Sequence, residues 1–266
     1  MSILLPSRRF LLGPPWLIDP DARDFIRRVE AADGAALENG VKLAYSNFIR
    51  GCKADGIWNS IKASCAFVGA RTLNGALVPF MGPAPTNFNF VSGDFNRKTG
   101  LVGNGSTKYL NSNRNNDADP QNNAHLSVYV STAGDGAYIG EVENFSATNG
   151  SQIVNTVSSS SLGTRLRTAS TASTTWATNP TGLIGLSRSS SSEYVRRFNS
   201  ANVTVTSASI VSSPQKSIFV FGRNFSSGIL PTSGRLSFYS IGESLDLALL
   251  DARVTALINQ IAAAIP

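Results

Sequence analysis

Hydrophobic positions follow three different rhythms along the chain. Over residues 19–63 they recur at helical spacing. Asp19-Pro20 reads as a helix start, with Asp19 as N-cap and Pro20 at the first helical position, where its missing N–H is not needed. Phe25, Ile26 and Val29 then share one face. After Gly34 a second helix is expected from Glu38 to Asp55, with Val41, Ala44, Tyr45, Phe48 and Ile49 on one stripe. Gly56 ends it, and Ile57, Trp58 and Ile61 open a further short piece.

From residue 64 the rhythm shortens. Pro79, Gly82, Pro83 and Pro85 mark loops, and short apolar or alternating runs follow, separated by Gly, Asn, Asp and Ser. The runs at 106–110, 125–130, 137–141, 152–157, 164–168, 181–188, 193–199, 217–223 and 235–241 read as strands. Leu126, Val128 and Val130 alternate with Ser127 and Tyr129. Ile218 and Val220 alternate with Phe219 and Phe221, which predicts a strand covered on both faces. Nine such runs predict a sandwich or barrel. The segment 146–213 is rich in Ser and Thr, yet Ile153, Leu162, Leu166, Trp176, Leu183 and Tyr194 recur through it and need a core.

The third rhythm returns to helix. Ser244 is the expected N-cap, and Leu245, Leu249, Leu250, Val254, Leu257, Ile258 and Ile261 form an apolar stripe that should pack on the sandwich or on the first helices. The expected organisation is an extended arm at 1–18, a helical element at 19–63, and a β-sandwich with a packed C-terminal helix at 64–266. Proline at 6, 14 and 15 forbids a continuous helix in the arm. Its Arg8, Arg9, Phe10, Leu11, Leu12 and Trp16 are candidate anchoring residues, packing on their own domain or docking on a neighbouring subunit.

Composition narrows the function. Hydrophobic residues make up 42%, enough for a sizeable core, while only 15% are charged, which suits a sandwich with neutral outer faces. The net charge of +6 is scattered rather than gathered in a run, so solubility and attraction to acidic surfaces are expected and nucleic-acid binding is not. The N-terminus does not read as a secretory signal, and no window approaches 18 consecutive apolar residues, so no membrane insertion is expected. Cys52 and Cys65 fit no metal spacing and read as buried thiols.

Candidate chemistry is sparse. His125 is the only histidine, which leaves little room for a histidine-based metal site or a nucleophile–histidine pair; no Gly-x-Ser-x-Gly elbow occurs. Glu141-Val142-Glu143 places two carboxylates at i and i+2 on a strand end, the spacing a glycoside hydrolase could use. Laminarinase-type enzymes carry a longer Glu-x-Asp-x-x-Glu run, and here Ser146 stands where the last acid should be. Asp117 and Asp119, in the polar loop 111–123, could offer oxygen ligands to calcium; no other cofactor is expected. Candidate glycan-binding residues are Tyr109, Tyr138, Trp176, Tyr194, Arg196 and Asn199, which supply aromatic faces and planar polar groups.

Several segments stand out as a set. They are Ala54-Asp55-Gly56-Ile57-Trp58-Asn59-Ser60-Ile61-Lys62-Ala63, Asn89-Phe90-Val91-Ser92-Gly93-Asp94-Phe95-Asn96-Arg97-Lys98-Thr99-Gly100-Leu101, and Gly103-Asn104-Gly105-Ser106-Thr107-Lys108-Tyr109-Leu110. Phe221-Gly222-Arg223-Asn224 and Leu236-Ser237-Phe238-Tyr239-Ser240-Ile241-Gly242 follow. Over roughly residues 50–265 the chain resembles the laminin-G/concanavalin A-like jelly-roll proteins found among structural genes of tailed bacteriophages, including cyanophages. The resemblance implies a mainly β, concanavalin A-like sandwich in a virion protein on the tail or head surface, with other virion proteins as partners. The expected role is a tail, baseplate or fibre appendage whose lectin-like sandwich binds host-surface carbohydrate. With only the 1–18 arm before the helices, a short appendage is expected rather than a long fibre. A capsid decoration (cement) protein and a glycoside hydrolase using Glu141 and Glu143 are the alternatives. A homo-oligomer, a trimer by analogy with attachment-site symmetry, is expected.

Overall fold

The computed structural model describes residues 19–143, 149–211 and 215–266. The arm and its candidate anchors, Arg8, Arg9, Phe10, Leu11, Leu12 and Trp16, lie outside the described residues. Two large, mostly antiparallel sheets stack face to face, and helices cover the outer side of one of them. The first sheet runs Ala201–Thr206, Glu193–Phe198, Gly182–Arg188, Ala124–Thr132, Arg235–Gly242, Gly100–Val102, Phe95–Asn96, with Ile61–Ala66 also paired to Arg235–Gly242. The second runs Ala172–Thr175, Ser161–Leu166, Gly150–Thr156, Gly136–Val142, Ser217–Val220, Tyr109–Asn115, Thr86–Phe88. A hairpin of Gly222–Phe225 and Gly228–Pro231 pairs alongside Gly136–Val142. The mainly-β sandwich expected from the short strands is the architecture observed.

Two cores follow from the layering. Between the sheets lie Leu126, Val128, Val130, Ile153, Leu162, Ile184, Leu186, Tyr239 and Ile241. On the other side of the first sheet, helices α1 (Pro20–Asp33), α2 (Asn39–Ala54) and, after the one-turn α3 (Leu73–Ala76), α4 (Leu247–Ala264) bury Phe25, Phe48, Ile49, Val254 and Ile261 against Phe238 and Leu183. The first sheet is thus covered on both faces, which is why Ala124–Thr132 is buried almost throughout. Small residues make the close approach possible: a Cβ on Gly185 would come within 2.7 Å of Leu247. Gly69 holds φ +90, and a Cβ there would meet the Tyr45 hydroxyl, which donates to Val68 O at 2.6 Å. Arg97 ties this layer to the sandwich, bonding Gly69 O, Ala70 O and both oxygens of Glu38.

Several expectations are corrected. Asp19 caps α1 as expected, but α4 is capped by Asp246, which accepts from Ala248 N and Leu249 N; Ser244 instead donates to Asn123. Leu249 is exposed, because the later start rotates it away from the sheet. Helix α4 has the length and apolarity of a membrane-crossing helix, but its Leu250, Val254, Leu257 and Ile261 stripe is buried in the core. A strand begins at Ile61, inside the span expected to be helical, so the helical element and the sandwich share a sheet. The expected strand 217–223 breaks at Phe221, whose φ of +63 turns its ring into the core. Strands at 86–88 and 172–175 carried too few alternations to be read, and Ala201–Thr206 was not expected although Val203 and Val205 alternate with Asn202, Thr204 and Thr206.

Candidate functional site

The outer face of the second sheet carries the accessible aromatic chemistry. In Tyr109–Asn115 the pleat turns Leu110 and Ser112 inward, where Ser112 Oγ donates to Ile218 O, and leaves Tyr109, Asn111 and Asn113 outward. Ladder pairing sets a continuous cross-strand row: Thr86 opposite Asn111, Asn111 opposite Phe219, Phe219 opposite Gly140, Gly140 opposite Gln152, and Gln152 opposite Arg165. Phe88 stacks on Tyr109 with ring centroids 4.4 Å apart and planes 5° from parallel; Tyr109 stacks on Phe219 at 4.7 Å and 25°. Each such contact contributes about 0.5–1.5 kcal/mol beyond buried area, so the three rings form a fixed platform. Phe88 remains 36% exposed at its rim.

Polar groups continue from the platform. Asn113 Nδ2 donates to Ala84 O and Thr86 Oγ1, which holds the edge strand in place. Beyond Gly140, Arg223 donates to Gln152 Oε1 at 2.8 Å, Gln152 Nε2 donates to Thr171 Oγ1 at 3.4 Å, and Arg165 Nε donates to the same hydroxyl at 2.6 Å. Burial pulls the pKa of both arginines below the ordinary guanidinium value. Gln152 and Arg223 are buried, so the face itself offers the ring surface, the part-exposed Asn111 amide and the part-exposed Arg165 guanidinium, groups that can stack on a sugar ring and bond its hydroxyls.

Of the six glycan-binding candidates, Tyr109 alone stands on this face. Tyr138 is fully buried between the sheets, its hydroxyl donating to Gly134 O at 3.1 Å. Tyr194 is buried beside Thr164, hydroxyl to hydroxyl at 3.0 Å. These two were expected at the surface, and each found a backbone or hydroxyl partner inside. Trp176 is half-buried with its indole N–H on Asn155 Oδ1, and Arg196 is buried on the inner face of its strand. Asn199 and Ser200 form the exposed hairpin turn with φ of +50 and +58, a backbone role. Phe88 and Phe219 were missed; the alternation Asn87-Phe88-Asn89-Phe90 and the doubly apolar Ile218–Phe221 run are the signals that could have found them.

The other candidates are dispersed. Glu141 is fully buried, with Asn116 Nδ2 donating to its Oε2 at 2.9 Å, whereas Glu143 is exposed beyond the strand end; the two do not share an accessible cleft. Burial pushes the Glu141 carboxyl from its ordinary 4.5 up to about 7, against the pull of Lys216 and Asn116. His125 is buried too, with Nδ1 on Glu243 O and Nε2 on Ser240 Oγ, both at 2.6 Å, and burial lowers it to about 4. The carboxylate of Asp119 is engaged by Arg114, while Asp117 accepts from Gln215 N. Among the described residues no group of three His, Cys, Asp or Glu gathers that could hold a metal ion. Cys52 and Cys65 are buried and free.

No protein-family model and no curated protein matches the chain. Among solved structures, the botulinum neurotoxin serotype D binding domain is similar at 11% identity over 77% of this chain and 52% of that one, with a TM-score of 0.49. The NanB sialidase of Streptococcus pneumoniae aligns at 11% identity over 52% of this chain and 24% of its own, TM-score 0.38. The CBM40 of the Ruminococcus gnavus IT-sialidase aligns at 12% identity over 49% of this chain and 80% of its own, TM-score 0.36. The chain spans about a quarter of that Streptococcus pneumoniae sialidase and about half of that neurotoxin domain.

Proposed function

We propose that this protein is a glycan-binding β-sandwich carried on a tailed-phage particle, and that it meets host-surface sugar with the outer face of the second sheet. The observation that carries the glycan reading is the Phe88–Tyr109–Phe219 stack, a part-exposed aromatic platform bordered by Asn111, with Arg165 further along the same face. A solvent-facing stack of three rings is costly to leave uncovered, and a pyranose ring face is a matching cover. The phage setting rests on the sequence resemblance, and attachment to other virion proteins falls to residues 1–18 and the helices.

The test is a glycan array followed by titration of the best hit. Tyr109→Ala should weaken binding at least about tenfold, the loss of a central stacking ring, while leaving the melting temperature within a few degrees. An array without a hit, or full affinity in the variant, would remove this reading. Imaging of intact particles checks the setting separately: the chain should appear at the tail or head surface with this sheet outward.

A further inference from the structure

The opposite edge of the sandwich holds a charge that the fold does not satisfy. Strand Glu193–Phe198 directs Tyr194 and Arg196 toward the inner core. The cross-strand partners of Arg196 are Leu186, fully buried, and Val203, which is 48% exposed. The cover over the inner face therefore thins around Arg196, where Phe198 and Val205 are only partly buried against the core. The neighbour Ala201–Thr206 is otherwise exposed along its length.

Arg196 is only 8% exposed, its Nε is buried, and its side chain donates no hydrogen bond to any described residue. Other buried arginines differ. Arg188 bonds the carbonyls of Leu166, Ser190, Glu193 and Ser207, and Arg167 bonds those of Asn116, Asp119 and Pro120. The Arg196 Nε is sealed without an acceptor, which is costly in a core, while its two Nη groups are not sealed and stay open to solvent or a ligand. Burial dominates at the Tyr194 hydroxyl, while Arg165, Arg188 and Arg196 all bear on it and favour its ionised form. In the other sheet, Trp176 directly follows the edge strand Ala172–Thr175 and packs half-buried against the same core.

We propose that this edge, between Arg196 and Trp176, is a second binding site, and that it takes a carboxylate-bearing sugar. The guanidinium fork matches a carboxylate with two parallel hydrogen bonds. The indole supplies the apolar face for the ring, and the Ser- and Thr-rich edge strands supply hydroxyls. This site is independent of the aromatic platform, which lies on the other side of the second sheet.

The experiment follows the Arg196 side-chain Nε–Hε resonance and the heat of binding on adding D-glucuronate, N-acetylneuraminate, methyl β-D-glucopyranoside or sodium acetate. Either acidic sugar should shift the resonance and bind at least about tenfold more tightly than the neutral glycoside or acetate. Arg196→Met and Arg196→Gln should lose that binding at least about tenfold, and Arg196→Met should raise Tm by roughly 2–4 °C, because an unpaired buried cation is gone. Tyr109→Ala should leave acidic-sugar binding unchanged, separating this site from the platform. Absence of binding by both acidic sugars, equal binding of acetate, unchanged affinity in both Arg196 variants, or a fall in Tm on Arg196→Met would each overturn the proposal.

Discussion

At the scale of single residues, burial decides chemistry more than residue type does. Glu141 and His125 are both sealed, and their titrations pull stability in opposite directions. Glu141 binds its proton more tightly folded than unfolded, so its contribution falls as pH rises from about 4.5 to about 7. His125 binds its proton less tightly folded, so its contribution falls as pH drops from about 6.5 to about 4. Between pH 4.5 and 6.5 the two slopes offset each other, and stability should be nearly flat. Glu141→Gln removes one slope: denaturant unfolding should then show stability rising with pH over that window by up to about 1.4 kcal/mol per unit, with a gain over the parent at pH 8. A parent profile that already rises over this window, and that the substitution leaves unchanged, would mean that Glu141 is ionised in the folded protein. Trp176 and Tyr194 show how little aromatic identity alone says: whether a ring meets solvent or a core depends on which sheet face it lands on.

At the scale of elements, arginines organise the long polar segments. The stretch 111–123 reads as a turn-former-rich loop with two acids, for which calcium is one way to impose order, but residues 111–115 belong to the strand Tyr109–Asn115 and only the remainder is loop. The structure orders it with Arg167, which reaches three backbone carbonyls, and with the Arg114–Asp119 pair. Arg167→Met should therefore lower stability by about 3 kcal/mol, since several carbonyls lose a charged donor at once. Millimolar calcium should not restore the loss in a thermal melt. Strand positions were legible where alternation also carried large apolar side chains, as in Leu126–Val130, and Ala201–Thr206, alternating only Val with Asn and Thr, was passed over. They were not legible in three- and four-residue strands such as Thr86–Phe88, whose pairing depends on a neighbour distant in sequence. Helix starts were legible where the capping side chain stood beside a proline, as at Asp19-Pro20, and misplaced by two residues where Ser244 and Asp246 competed.

At the scale of the whole molecule, helices and sandwich share a core and a sheet, which predicts that they unfold together. Phe48 lies 5.7 Å from Phe238, and Arg253 on α4 pairs with Asp55 at the end of α2. Phe48→Ala should cost about 3–5 kcal/mol, and far- and near-ultraviolet dichroism should still report a single coincident transition; two separate transitions would show that the helical layer unfolds alone. The sequence by itself determined the classes of element, the apolar faces of α1 and α2, and the sandwich, because each is written in a local period that needs no partner to be read. Tertiary structure alone decided which residues meet. Tyr109 gains Phe88 and Phe219 only through ladder register, while Glu141 and Glu143, adjacent along one strand end, are divided between interior and solvent. Arg196 became conspicuous only when its surroundings were known, because an unmet hydrogen bond is a property of neighbours and not of the residue.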